Sequence, residues 1–314
     1  MPALNAAIAS NAQFAPNSRP VLVVFGGTSG IGEGTLRAFA QHAKGNIHII
    51  ILGRSTAKAE AIFASLPRHP DSLYEFVFVD ALLMRNIVAV TNELKTNSQG
   101  KLKAPLTKIN YLILSQGAAL VGKPDTEEGL WPLYALAVYG RLRSALELAP
   151  LVEEAARLGE NARILNVVYA GIGGPIDLND LGNRRTRFWR LRGAVVTYTD
   201  IYTLEFSKRH PSISFTHIFP GMVRTNLSSG VPWPVNRILR CMEYFFGTSA
   251  EDCGQWMMYA MLDETAATGA HFKSDHADPL GPSRWAQDEV ARGAVWKHLT
   301  ETSTPKPSPI ATSA

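Results

Sequence analysis

The sequence predicts an α/β protein, one domain organised around a doubly wound parallel sheet with a short apolar lid inserted after the sixth strand. Three observations carry this. Short apolar runs alternate with longer helix-patterned stretches from about residue 20 to about residue 301. The runs are near-continuous, as in Ile47-His48-Ile49-Ile50-Ile51-Leu52, which is the pattern of strands covered on both faces. The first run, Val21-Leu22-Val23-Val24, passes through Phe25-Gly26-Gly27-Thr28-Ser29-Gly30-Ile31-Gly32 into a helix, a strand–turn–helix unit of the Rossmann type.

Taken in order, residues 1–19 are rich in Ala, Asn, Ser and Pro and read as a flexible lead. Strands are expected at about 20–25, 47–52, 74–79, 109–114, 163–168 and 213–219, with a last short one at 269–273. Gly53-Arg54-Ser55 closes the second strand, Asp80 the third, Ser115-Gln116-Gly117 the fourth and Pro220-Gly221 the sixth. Helices are expected over about 31–42, 57–66, 83–98, 128–157, 185–210, 250–262 and 283–301, the long fourth punctuated by Pro132 and Pro150. Residues 170–182 form a glycine-rich loop, and the Pro/Ser/Thr tail over 302–314 reads as disordered. Beyond Thr225 the alternation breaks. Residues 227–250 hold Pro232, Trp233, Pro234, Ile238, Leu239, Tyr244, Phe245 and Phe246. Such a segment is either a surface-packed helix pair or a lid over an apolar substrate, since ligands of open α/β sheets bind at the carboxyl ends of the strands.

Composition narrows the function. The chain has 314 residues, 46% hydrophobic and 18% charged, with a net charge of +4, which suits one folded domain with tails. There is no single basic block, which argues against nucleic-acid binding. No apolar run reaches the ~18 residues of a membrane span, and no leader pattern opens the chain, so a cytoplasmic location is expected. Two cysteines, Cys241 and Cys253, are too few for a disulfide framework. His271 and His276 with Asp275 and Asp278 meet no ligand spacing, so no metal is expected.

The glycine loop supplies the first chemistry. Gly26, Gly30 and Gly32 permit a tight turn, a close backbone approach to a pyrophosphate and close packing of helix on strand. The helix start at Thr28, Ser29 and Ile31 offers free N–H groups and a positive dipole end to phosphate. The second strand selects the dinucleotide. An acid there would bond a ribose 2′-hydroxyl, but Gly53 is followed by Arg54 and Ser55, a guanidinium and a hydroxyl suited to a 2′-phosphate. NADP(H) is the expected cofactor.

On these stations the chain resembles the short-chain dehydrogenase/reductase family over about 20–300, and it looks closest to reductase-like members from fungal natural-product pathways. Its loop is similar to the family's T-G-x-x-x-G-x-G with Phe25 in place of the threonine. The resemblance implies that Asp80, followed by Ala81, lies near the adenine, and that Gly117 keeps the glycine of the turn after the fourth strand. Pro220-Gly221-Met222-Val223-Arg224-Thr225 matches P-G-x-V-x-T, which implies that Pro220, Gly221, Val223 and Thr225 line the nicotinamide, with Thr225 on its carboxamide. The resemblance also implies a homodimer or homotetramer paired through the helices over 128–157 and 185–210, and a small apolar substrate.

The catalytic stations depart from the family's serine, tyrosine and lysine. No tyrosine has a lysine four residues on, and the matching pair is Phe188 and Arg192. Phenylalanine donates no proton, whereas Arg192 keeps a cation for the ribose. Tyr169 stands at the serine position, Leu114-Ser115-Gln116-Gly117 replaces N-N-A-G, and Ala137 replaces the asparagine of the fourth helix. Tyr169 and Tyr139 are the candidate proton donors, with Tyr198 read as a helix-packing residue. Three functions compete: an NADPH-dependent reductase of a C=O, C=N or C=C bond with an unusual donor, a redox-neutral isomerase or cyclase, and a non-catalytic cofactor-binding protein.

Overall fold

The computed structural model describes residues 3–305 apart from 119, 121, 122, 187, 226–232 and 234. In chain order its elements are α1 (Leu4–Asn11), β1 (Val21–Phe25), α2 (Gly30–His42), β2 (His48–Gly53), α3 (Thr56–Ser65), β3 (Leu73–Phe78) and α4 (Met84–Thr96). Then come β4 (Tyr111–Leu114), α5 (Pro132–Tyr134), a π-helical turn (Ala135–Tyr139), α6 (Gly140–Arg157), β5 (Arg163–Val167), α7 (Phe188–Arg209) and β6 (Ser214–Ile218). The chain closes with α8 (Val235–Phe246), α9 (Ala250–Leu262), β7 (Gly269–Lys273), β8 (Pro279–Leu280) and α10 (Glu289–Ser303).

The eight strands form one sheet in the order β3-β2-β1-β4-β5-β6-β7-β8, all parallel except the β7–β8 pair. The order reverses between β1 and β4, and the crevice at the carboxyl ends of these two strands is where such sheets take a ligand. Alternate residues of β1 feed two cores. Val21, Val23 and Phe25 join the α4, α6, α7 and α10 side. Leu22 and Val24 join the α1, α2 and α9 side. Burial on both faces explains why these strands read as continuous apolar runs. Helices α2 and α9 approach closely enough that a Cβ on Gly34 would strike the carbonyl of Ala250, and one on Gly254 would strike the backbone of Gly34.

Several expectations change. The lead is not wholly loose: Leu4–Asn11 is a helix whose Ala7 and Asn11 are buried, and Asn11 Nδ2 donates to the Gln255 carbonyl on α9 at 2.9 Å. The stretch expected as one helix over 128–157 begins at Pro132 and is broken by the π turn before continuing as α6, with Pro150 inside it. The last helix starts at Glu289, not 283, because the Asp288 carboxylate caps the N–H groups of Val290 and Ala291. Strand β8 lacks an apolar pattern and was not expected.

Helix α10 lies across α6 and α7. Arg143 donates to the carbonyls of Ser303 and Thr300, Arg209 stacks over the Trp296 ring at 4.3 Å, and Arg292 pairs with Glu205 at 2.9 Å. The chain therefore covers with its own helix the pair of helices through which self-association was expected. Size-exclusion with light scattering at micromolar concentration should give the mass of one chain, 34.2 kDa. A stable dimer mass would mean that another face pairs or that α10 undocks.

One ion pair at the sheet edge sets an acid dependence. Lys273 Nζ donates to Asp263 Oδ2 at 2.6 Å. Burial pulls the Asp263 carboxyl up, but the Lys273 ammonium and the Thr265 hydroxyl outweigh it and hold the pKa at about 2, below the ordinary 3.8. A depressed pKa stabilises the fold above the unfolded value, and that contribution is lost as pH falls through the folded one. The stability gap between wild type and Asp263→Asn should be full at pH 7 and shrink between pH 4 and pH 2, as read by urea titration at each pH.

Candidate functional site

The glycine turn is built as a cradle. Gly26 has φ +80°, and a Cβ there would stand 2.8 Å from the Gln116 backbone nitrogen. A Cβ on Gly32 would strike Ser115 Oγ and the Gly26 carbonyl. Ser115 ties the two strands at this point, its N–H and hydroxyl both donating to the Phe25 carbonyl at 3.0 and 2.8 Å. At the start of α2, Ser29 makes no side-chain cap. The first N–H groups of a helix, here at Gly30, Ile31 and Gly32, have no intrahelical acceptor and could serve a bound anion. Thr28 lies beside Gly53, whose Cβ would meet Thr28 Cγ2 at 3.1 Å. The cradle fits a dinucleotide pyrophosphate.

Arg54 is exposed at the end of β2, immediately before α3. The Ser55 hydroxyl, expected at the ligand, accepts from Lys58 N at 3.4 Å as the N-cap of α3, which leaves its O–H to donate. Arg54, Ser55 and the start of α3 thus follow one another at the end of the strand beside the one that leads into the glycine turn. At the end of β3, Asp80 Oδ1 accepts from Leu82 N at 3.1 Å, and Ala81 beside it is buried. Gly117 is exposed just after β4.

The segment after β6 returns to the glycine turn. A Cβ on Gly30 would sit 3.1 Å from Thr225 Cγ2, which puts the Pro220–Thr225 station against the cradle. Gly221 has φ +72°. Val223 is buried and bridges to Thr248, and the bonds Arg224 N to Thr248 O (2.9 Å) and Thr248 N to Met222 O (2.8 Å) pin the base of the 225–247 excursion. Of the expected lid, residues 226–232 and 234 lie outside the described residues. Trp233 and the backbone of α8 are described, with Trp233 77%, Tyr244 70%, Phe245 72% and Phe246 79% exposed; the side chains at 235 and 238–240 lie outside the described residues.

At the carboxyl end of β5 the structure brings two expected site residues together. The Arg192 guanidinium lies over the Tyr169 ring at 3.3 Å, and the Phe219 ring packs edge-on against it at 4.5 Å. Arg192 is exposed on the first turns of α7, one turn beyond Phe188, whose side chain lies outside the described residues. Tyr139 goes elsewhere. It is buried among the α4, α6 and α7 core, its hydroxyl meets His298 Nε2 on α10 at 2.9 Å, and burial raises its pKa far above the ordinary phenol value. It is a core residue and leaves Tyr169 as the donor candidate. Tyr198 bonds the Leu181 carbonyl from inside the core, as expected of a packing residue.

Residues not foreseen support this corner. His217 on β6 is buried between Asp200 Oδ1 (2.7 Å from Nδ1) and the Tyr169 carbonyl (3.2 Å from Nε2), and Asp200 Oδ2 accepts from Ser283 N at 2.7 Å. Both ring nitrogens are therefore engaged, one by a carboxylate and one by a backbone carbonyl. Asn166 on β5 donates to the Tyr202 hydroxyl at 2.6 Å and accepts from Arg141 at 2.7 Å. The signal for each was a charged or polar side chain at an apolar phase: Arg141 in step with Ala145, Leu148 and Val152, and Asp200 between Tyr198 and Ile201.

No family model matches the chain. Curated relatives do. The "NmrA-like family domain-containing oxidoreductase notO" of an Aspergillus species is 30% identical over 256 residues, 79% of this chain and 72% of that protein. "Oxidoreductase andH" of Emericella variicolor is 28% identical over 95% of this chain and 85% of its own length. "Short-chain dehydrogenase/reductase SAT2" of Stachybotrys chartarum is 25% identical over 86% and 80%. The chain belongs to the short-chain dehydrogenase/reductase family. It is a family oxidoreductase related to fungal natural-product oxidoreductases. In fold it matches a short-chain dehydrogenase from Sphingobium yanoikuyae, solved with NADPH, at a TM-score of 0.56 and 17% identity over 94% of this chain. Among the described residues no helix is long and apolar enough to cross a membrane.

Proposed function

We propose that this oxidoreductase binds NADP(H) and reduces a C=O, C=N or C=C bond of a small apolar natural-product intermediate, with Tyr169 as the proton donor. The observation that carries the reading is the stacking of Arg192 on Tyr169 at the end of β5, beside a cradle built for a dinucleotide. When bound, the reduced cofactor supplies a hydride. The chain's residues do the rest. The α2 start and the Gly26–Gly32 turn hold the pyrophosphate, Asp80 and Ala81 border the adenine, and Arg54 and Ser55 hold the 2′-phosphate. Pro220, Gly221, Val223 and Thr225 close over the nicotinamide end. Arg192 fixes the Tyr169 ring and faces the ribose, and Tyr169 delivers a proton to the atom that becomes basic. Trp233 and the exposed aromatic residues of α8 supply the apolar lid, hinged at Met222–Arg224 and Gly247–Thr248.

Cofactor choice has a direct test. Hydrogen bonds to charged groups are worth about 1.5–3 kcal/mol, which is about 10- to 100-fold in affinity. Arg54→Glu should weaken NADPH binding by that much in a fluorescence titration and leave NADH binding within about threefold. Wild type offered NADPH and a panel of apolar ketones, enones and imines should consume the cofactor at 340 nm. Cofactor binding without turnover on any of them would sink the reductase reading.

One fact favours a second reading. With Phe188 in the usual tyrosine place, a redox-neutral isomerase or cyclase on the same fold needs no hydride acceptor. Product formed with no cofactor present would establish it, and a strict NADPH requirement with stoichiometric oxidation would exclude it.

A further inference from the structure

Arg141 stands on α6 directly after the π turn and is 3% exposed. Its Nη1 donates to the Leu114 carbonyl (2.6 Å), Asn166 Oδ1 (2.7 Å) and the Val167 carbonyl (2.8 Å), and its Nη2 to the Gln116 carbonyl (2.6 Å). All four acceptors are neutral oxygens. Burial lowers the guanidinium pKa to about 10, so it remains a cation at neutral pH. A buried cation facing only neutral groups is costly to keep, and an apolar side chain of similar volume is the cheaper way to fill such a place.

Its position points to a purpose. Leu114 and Gln116 flank Ser115, which bonds the end of β1 and closes against Gly32, and the Gln116 backbone walls the Gly26 turn. Val167 precedes Tyr169 by two residues. The guanidinium therefore bridges the carboxyl ends of β4 and β5, between the dinucleotide crevice and the proton-donor candidate. Arg141 Nε and both polar atoms of the Gln116 side chain are buried without a hydrogen-bond partner among the described residues. Three orphaned polar atoms at one strand end mark a place where a ligand or ordered water completes the bonding.

We propose that Arg141 is a fixed internal cation that makes this site bind the reduced dinucleotide in preference to the oxidised one, so that the enzyme loads the hydride donor and releases the oxidised cofactor. The proposal rests on the NADP(H) reading above. The two redox forms differ by one unit of charge on the nicotinamide ring, neutral when reduced and positive when oxidised. A cation held in the protein interior, where charges act strongly, disfavours the positive ring and leaves the neutral one nearly untouched. The same cation stabilises negative charge that develops on the hydride acceptor. Arg141 acts through the strand ends and the field, not by contact with the reacting atoms, so it is a positioning residue.

The test is the ratio of two dissociation constants, NADP+ over NADPH, measured by calorimetry on wild type, Arg141→Met, Arg141→Gln and Arg141→Lys. Wild type should favour NADPH by about tenfold or more. The Met and Gln variants should lose most of that preference, chiefly through tighter NADP+ binding, and Lys should keep it. An unchanged ratio in a folded Met or Gln variant overturns the proposal. So does a wild type that binds both forms equally, a result that needs no variant, and so does a folded Lys variant that loses the preference. Wild type that binds neither form overturns the NADP(H) reading itself, and is told apart by the missing heat with both cofactors.

Discussion

Tyr169→Phe should lower kcat/KM by about 10²–10⁴ on whichever substrate wild type turns over, the usual worth of a general acid. The substitution isolates one atom. The ring keeps its contacts with Arg192 and Phe219, so the end of β5 keeps its shape. NADPH affinity should stay within about twofold, because the cradle at Gly26–Gly32 and the anion site at Arg54 do not involve the phenol. Arg192→Met is the companion: it removes a cation–π contact worth about 0.5–2 kcal/mol and frees the Tyr169 ring, so both kcat and cofactor affinity should fall. Full activity in Tyr169→Phe would take the proton donor away from this residue and hand the advantage to substrates that accept hydride without an acid.

The fold was legible because its signals are local. Near-continuous apolar strands, a glycine turn at the first strand end and Pro-Gly at the sixth each depend on a few neighbouring residues, and the sheet order follows from the alternation of strand and helix. The tight glycine turn was legible for the same reason: Gly26, Gly30 and Gly32 announce close backbone approach in one short stretch. The pairing of Arg192 with Tyr169 was half legible. Both were singled out, but contact across more than twenty residues of sequence is a tertiary fact. Tyr139 is not legible as a core residue, because a tyrosine near a strand end reads the same whether its hydroxyl faces a substrate or His298 on the last helix. The covering of α6 and α7 by α10 was hidden because an amphipathic helix does not say which neighbour it meets. Arg141 was the missed opportunity, since an arginine on the apolar stripe of a helix has to be satisfied somewhere inside.

Asp200→Ala should destabilise the protein by about 2–5 kcal/mol, since each of the two buried donors left without its acceptor costs about 1–3 kcal/mol, and lower the melting temperature by on the order of 10 °C. Two groups lose their acceptor at once, and the Tyr169 carbonyl loses a fixed partner. His217 loses the carboxylate at 2.7 Å and is left to turn, though it holds the Tyr169 carbonyl at 3.2 Å, and Ser283 N loses the carboxylate oxygen at 2.7 Å. His217 and Asp200 are both buried, so water does not replace what is lost. Asp200→Asn should cost less, because its amide oxygen still accepts from Ser283 N and its amide nitrogen can donate to Nδ1 of a neutral His217 ring. Urea unfolding of Asp200→Ala, His217→Leu and the double variant then separates packing from pairing. If the two side chains act as a unit, the double variant should be more stable than the sum of the singles implies by more than about 1 kcal/mol. Strict additivity would mean that each residue is held by its own surroundings. A coupled result carries a functional corollary: Asp200→Asn, folded and binding NADPH, should still lose kcat rather than KM, because the imidazole it orients sets where the Tyr169 backbone, and with it the phenol, comes to rest.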